Sequence, residues 1–316
     1  MDGHVGNRPA TRDGIHGREY INTCIELSRR PERLAFNEDG SLAVAVGPIL
    51  EIPLPILFET PSFGVLSPKV LVSMLKAAQA IGTKMFMDAA DMDESLGAFG
   101  ATLIPRVKKE NVHRFAGLLK GSDMVEIDYK PGIETVLEAL KAAHENLVIS
   151  VGLPLSADLN YAEIGVALSH TVMDTLHVYA DYNGREFNSQ NPRFIKDMLR
   201  DIHTALVKAG TRRQINILAS GGVSMAEHVN KTIICGADGV VIDRPLLLAM
   251  ECRLCDRCRS NLSCPVKLEG IDPEYGSNRI INLMGAWRNQ MLEMLGAMGM
   301  REARRLRGGS GPVHVV

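Results

Sequence analysis

The stretch INILASGGVSMAEHVNKTIICGADGVVIDRPLL, Ile215 to Leu247, decides the fold. It reads as strand, helix, strand. An apolar run ends in Ser220-Gly221-Gly222-Val223, a helix-period segment follows, and a second apolar run lies between Gly236-Ala237-Asp238 and Asp243-Arg244-Pro245. Strands joined by a crossover helix pair in parallel. In an eight-stranded parallel barrel, the loops after strands seven and eight hold phosphate groups with backbone N–H groups and a helix N-terminus. Glycines suit such a loop because a Cβ would keep the backbone away from the anion. Gly221-Gly222 alone is explained equally well by a tight turn. Its coincidence with GADGVVIDRP one βα unit later favours the phosphate reading.

Upstream, the same alternation of short β-rich runs and helical patterns continues. PILFET (Pro55 to Thr60), KMFMDA (Lys84 to Ala89), ATLIPRV (Ala101 to Val107), DMVEIDY (Asp123 to Tyr129), LVISVG (Leu147 to Gly152) and DTLHVYAD (Asp174 to Asp181) bring the strand count to eight with the two above. Pro68 to Ile81 opens with Ser-Pro, a cap followed by a first-turn proline, and Arg193 to Ala209 carries apolar residues at helical spacing. Eight βα units close into a (β/α)8 TIM barrel, with a doubly wound open sheet as the alternative. The weakest crossover is Asp91 to Gly100, which is short and contains glycine. Leu42 to Ile52 reads as a strand or hairpin plugging the barrel floor, Met1 to Gly17 as a flexible start, and Asn278 to Arg307 as one or two amphipathic helices.

The 316 residues carry a formal charge of −2, and no basic patch points to nucleic acid. No run of about 18 apolar residues suggests a membrane span, and the N-terminus lacks a signal-peptide pattern, so a cytoplasmic protein is expected. Four of the six cysteines fall in MECRLCDRCRSNLSCPV, Met250 to Val266. In a reducing compartment such a group is a metal site rather than a set of disulfides. The spacing Cys252-x2-Cys255-x2-Cys258-x5-Cys264-Pro265 matches iron–sulfur runs better than the paired knuckles of structural zinc, which remains the alternative. Cys24 and Cys235 have no ligand spacing and read as inert thiols.

These motifs resemble a known family. ASGGVSMAEHVNKTIICGADGVVIDRPLL is similar to the closing segment of FMN-dependent TIM-barrel oxidoreductases. The succession through CPVKLEGIDPE to IINLMGAWRNQMLEMLGAMGM resembles the FMN-binding synthase domain of glutamate synthase. The resemblance implies that Ser220, Gly221, Gly222, Val223, Asp243 and Arg244 hold the FMN phosphate. Asp243 stands where glycine is usual, so the contact from Arg244 carries over more safely. PSFGVLSPKV, Pro61 to Val70, is similar to the family segment that lies along the flavin ring, which assigns Pro61 and Ser62 to the cofactor. The family ligates a [3Fe–4S] cluster with three cysteines, matched by Cys252, Cys258 and Cys264. Cys255 is additional, and a fourth thiolate predicts a [4Fe–4S] cluster instead.

The chain is therefore expected to be an α/β protein, a TIM barrel with an iron–sulfur cluster loop after strand eight and a C-terminal helical extension. Its parts are an N-terminal extension (1–50), the FMN-binding barrel (51–250), the cluster loop (251–270), C-terminal helices (271–307) and a tail (308–316). Lys130 and Arg106 are rival catalytic candidates, either able to place a cation near the reduced flavin, with a surface charge as the alternative for each. His177 and His228 read as packed or solvated side chains, and Asp181 and Asn183 as loop caps or mouth residues. The resemblance implies two functions. One is reduction of an imino or oxo acid such as 2-iminoglutarate, and the other is electron relay within a larger redox complex. It also implies a redox partner, either a ferredoxin or an NAD(P)H-oxidising subunit, membership of an oligomer or complex, and, for any ammonia used, supply from solvent or from a separate glutaminase-like subunit.

Overall fold

The computed structural model describes residues 21–44, 46–61, 67–260 and 262–308. Two short strands come first, β1 (Ile25–Leu27) and β2 (Leu50–Ile52), paired antiparallel with Ile25 opposite Ile52. Eight parallel strands then close a barrel: β3 (Ile56–Glu59), β4 (Met85–Asp88), β5 (Leu103–Val107), β6 (Met124–Asp128), β7 (Val148–Pro154), β8 (Thr175–Tyr179), β9 (Asn216–Ser220) and β10 (Gly239–Ile242). β10 pairs with both β9 and β3, and this closure excludes the open sheet.

Between them run α1 (Pro68–Ile81), α2 (Ala116–Leu119), α3 (Glu134–Ala143), α4 (Tyr161–Ser169), α5 (Ile195–Lys208) and α6 (Ala226–Ile234); α7 (Arg244–Ala249) follows β10, and α8 (Pro273–Ala297) comes after the cysteines. α1 starts where the sequence says it should. The Ser67 hydroxyl accepts from Val70 N–H, Pro68 fills the first turn, and Gly82 ends the helix in the left-handed conformation. The weak second crossover is two 3₁₀ segments, Ala89–Asp91 and Glu94–Thr102, which accommodate its glycines without an α-helix. α8 begins five residues earlier than the amphipathic pattern suggests, because Asp272 caps it by accepting from Tyr275 N–H and Pro273 sits in its first turn.

Strand alternation sorts the side chains into two populations. Outward residues such as Val125, Ile127, Leu176, Val178, Ile217 and Ala219 pack under the helices. Trp287, Met284 and Met291 of α8 join α1 and α6 in a second belt. Inward, the lower lumen is filled by Leu57, Phe86, Ile104, Met124, Val148, Leu218 and Val241. β1 and β2 press Ile25, Leu27, Leu50 and Ile52 against that layer. The expected floor plug therefore exists, but only Leu50–Ile52 of the Leu42 to Ile52 stretch forms its strand. The partner strand Ile25–Leu27 was not anticipated, since three residues carry no readable period.

Candidate functional site

Above the apolar layer the lumen becomes ionic. On β5, Ile104 is followed two residues later by Arg106, on β6 Met124 by Glu126, and on β9 Leu218 by Ser220, while His177 lies beside Gly152 across the β7–β8 ladder. Glu126 and His177 are fully buried. Arg106 Nε donates to Glu126 Oε1 at 2.8 Å, and its Nη2 donates to Glu59 Oε2 at 3.2 Å. The Ser150 hydroxyl donates to Glu126 Oε2 at 3.1 Å, and His177 Nδ1 lies 2.7 Å from the same oxygen. His177 Nε2 is 3.1 Å from Ser220 Oγ. The Phe86 ring stacks on His177 with centroids 5.1 Å apart. One hydrogen-bonded chain thus crosses the lumen from Glu59 on β3 to Ser220 on β9.

Burial alone would raise the Glu126 carboxyl, but His177 and Arg106 outweigh it and hold it down to about 2. Burial likewise opposes the Arg106 charge, and Glu126 with Glu59 more than restores it, leaving the guanidinium raised. Gly152 is glycine because a Cβ there would stand 3.3 Å from Glu126 Oε1. Higher in the mouth, burial first and then Asp128 push Tyr179 up to about 12. Asp243 is pushed up to about 6 by burial and by Glu59.

The expected phosphate loops lie at this end of the barrel. Gly221 and Gly222 have φ of 105° and 75°, and their Cβ positions are filled by backbone, with Asp181 O 2.6 Å from the first and Gly184 Cα 2.9 Å from the second. Glycine is therefore required for the loop after β9 to pack on the loop after β8. Asp181 caps that second loop, accepting from Asn183 N–H and Arg185 N–H. Asp243 caps α7 through Arg244 N–H, and the Arg244 guanidinium lies 3.8 Å from the centre of the Tyr182 ring. Pro61 follows β3 at the same end, whereas Ser62 falls outside the described residues. Lys130 is 52% exposed and paired with Glu110 at 2.6 Å, away from the lumen network that contains Arg106. Glu126 and His177 carry no local sequence mark of a place in the mouth. Their shared inward parity with Met124 and Tyr179 is the signal that could have found them.

α7 leads into the cysteines, and Cys252 N–H donates to Leu247 O at 3.0 Å. All four thiols line one cavity of about 80 Å³, walled by Val70 of α1 and Leu247 of α7. The Cys252 thiol is raised by burial and, to a lesser degree, by Cys264, Cys255 and Cys258 beside it, while Leu254 N–H donates to its sulfur at 3.4 Å. Cys255 is the exposed member. Five described non-glycine residues have left-handed backbone. Four of them, Glu251, Leu254, Asp256 and Lys267, flank these cysteines, so the loop holds a concentration of costly left-handed bends. Among the described residues no three His, Cys, Asp or Glu side chains are close enough together to hold a single metal ion. Burial pushes Cys24 up to about 12 and also raises Cys235, as befits unreactive thiols.

A closed eight-stranded parallel barrel with its polar residues at the C-terminal strand ends is the architecture of a TIM-barrel protein. Solved mandelate oxidases share it. One in complex with 3,3-difluoro-2-hydroxy-3-phenylpropionic acid superposes with a TM-score of 0.55 at 14% identity, covering 93% of this chain and 89% of that one. A variant with a monooxide FMN adduct gives 0.55 at 15%, covering 93% and 91%. Residues 192–301 match the conserved region in glutamate synthase. Over 92% of its length the chain is 25% identical to the archaeal-type glutamate synthase [NADPH] of Dehalococcoides mccartyi. It is 26% identical to those of Thermotoga neapolitana and Archaeoglobus fulgidus, and it covers 69% of each relative. The chain is thus a TIM barrel that is similar in sequence to the glutamate synthases, as the resemblance of its motifs implied.

Proposed function

We propose that this chain is an FMN-dependent oxidoreductase of the glutamate-synthase type whose cysteine loop carries a [4Fe–4S] cluster on Cys252, Cys255, Cys258 and Cys264. The observation that carries the reading is the position of the four thiols, which line one cavity at the end of the helix that starts from the last barrel strand. The spacing Cys252-x2-Cys255-x2-Cys258-x5-Cys264-Pro265 favours a polynuclear centre over a single zinc ion. The sulfur-directed N–H of Leu254 and the left-handed bends support the same reading. FMN supplies two-electron chemistry when bound, and the cluster passes one electron at a time.

In this reading Ser220, Gly221, Gly222, Val223 and the N–H of Arg244 hold the FMN phosphate, and Pro61 with Ser62 borders the ring. Arg106, rather than the surface-paired Lys130, is the cation beneath the mouth. A ferredoxin or an NAD(P)H-oxidising subunit exchanges electrons with the cluster, in a complex that includes a glutaminase-like subunit if ammonia is consumed. Among the described residues no helix is long and apolar enough to cross a membrane.

The acidity of the mouth favours a second reading, electron relay without an amino-acid substrate. Glu59, Asp88, Glu126, Asp128 and Asp243 crown the strands, and Arg106 is already shared by two of them. A dicarboxylate such as 2-iminoglutarate would meet repulsion there. The two readings separate on adding 2-oxoglutarate and ammonia to the anaerobically reduced protein. Flavin reoxidation without another acceptor marks a reductive catalyst, and an unchanged spectrum marks a relay.

A further inference from the structure

The ionic layer of the lumen ends at Ser220, and chemistry fixes most of its hydrogens. Glu126 faces Arg106 Nε, the Ser150 hydroxyl and His177 Nδ1. An ionised carboxylate only accepts, so His177 Nδ1 carries a hydrogen. The state of Nε2 then decides the direction of the Ser220 hydroxyl. With Nε2 bare, Ser220 O–H donates inward to it and shows only lone pairs to the mouth. With Nε2 protonated, the ring donates to Ser220 Oγ and the hydroxyl hydrogen is released upward.

We propose that His177 is a positioning residue that couples binding of a hydrogen-bond acceptor at the end of β9 to uptake of a proton. The acceptor is an oxyanion or a carbonyl, of the kind that the phosphate and the ring of FMN present, and the inference rests on the cofactor reading above. A donor bound at the same place would leave the ring neutral. The surroundings of His177 suit a movable proton. β6 contributes Glu126, β5 Arg106, β3 Glu59 through Arg106, β7 Ser150 and β9 Ser220, while β4 contributes only the Phe86 ring and Tyr179 follows on its own strand. Asp128 acts on the same cluster through Tyr179, and Asp243 through Glu59. A proton on His177 would therefore balance the second of two carboxylates that Arg106 alone only half neutralises. No other titratable side chain forms a hydrogen bond with the ring among the described residues. The proton enters from the mouth by way of Ser220, which remains a neutral hydroxyl with its hydrogen turned from the ring to the mouth.

The test uses the full chain freed of flavin. Calorimetric titration with FMN in two buffers of different ionisation heat gives the protons taken up per ligand, and the wild type should exceed Ser220→Ala by up to about one proton near neutral pH. His177→Gln should lose the same increment, with binding weakened but measurable in both variants. Riboflavin and inorganic phosphate, titrated separately, show whether the ring or the phosphate is the acceptor. NMR of the wild type labelled with ¹⁵N-histidine needs no variant. His177 should pass from the neutral Nδ1–H form towards imidazolium when ligand is added. Equal proton uptake in wild type and Ser220→Ala, or unmoved His177 resonances with ligand bound, overturns the inference. Failure of FMN, riboflavin and phosphate alike to bind defeats the cofactor assignment instead.

Discussion

Replacing Glu126 by glutamine removes the one carboxylate on which the lumen network converges. Its carboxyl sits at about 2 in place of the ordinary 4.5. Each pKa unit corresponds to about 1.4 kcal/mol, so the ionised group contributes about 3 kcal/mol of stability. Truncating one partner of a buried ion pair gives a similar figure, about 3–5 kcal/mol. Arg106 would keep only Glu59, and His177 Nδ1 would face a neutral amide. A group depressed on folding contributes fully above its unfolded pKa and is lost as pH falls through the folded one. The deficit of Glu126→Gln should therefore be present in full at pH 5 and shrink between about 4.5 and 2. At about 2–4 °C per kcal/mol the melting temperature should drop by about 6–20 °C. Chemical and thermal unfolding at pH 5, 6.5 and 8 measures this. A loss under about 1 kcal/mol at pH 5 would show that Glu126 is not the ionised hub described.

Other expectations follow from the same geometry. Asp243 is the opposite case, since its carboxyl is raised to about 6 from 3.8. Wild-type stability should fall as pH rises across that window, and Asp243→Asn should gain up to about 2–3 kcal/mol above pH 6 and little below pH 4 in parallel unfolding curves. Gly221→Ala would put a methyl 2.6 Å from Asp181 O at a φ of 105°. It should destabilise by at least about 2 kcal/mol and weaken FMN retention on gel filtration. Gly152→Ala presses on Glu126 at 3.3 Å and should cost about 1–2 kcal/mol, a penalty that vanishes in a Glu126→Ala background if the contact is its cause.

The barrel was legible because its outward residues are apolar beneath the covering helices, giving runs such as LVISVG and INILASGG that need no partner to be recognised. The inward set was not. Glu126 and His177 are 51 residues apart, and nothing local distinguishes a carboxylate buried against a histidine from one at the surface. Only closure of the barrel, which brings β6, β7 and β8 into register, shows that both side chains share a layer. Lys130 illustrates the converse. A cation just past a strand end reads as a mouth residue, yet the turn sends it outward to Glu110. The double glycine carried two meanings at once, and its packing role against the loop after β8 could not be read without that loop.

The account turns on the cysteine loop beside the barrel mouth. The most direct measurement is iron, labile sulfide, zinc and flavin content of the anaerobically purified protein, together with its absorption and electron paramagnetic resonance spectra. The account predicts one FMN with four irons and four sulfides per chain, and conversion to a three-iron centre in Cys255→Ser. A colourless protein with zinc, or a flavoprotein whose iron content is zero before and after anaerobic reconstitution, would contradict it.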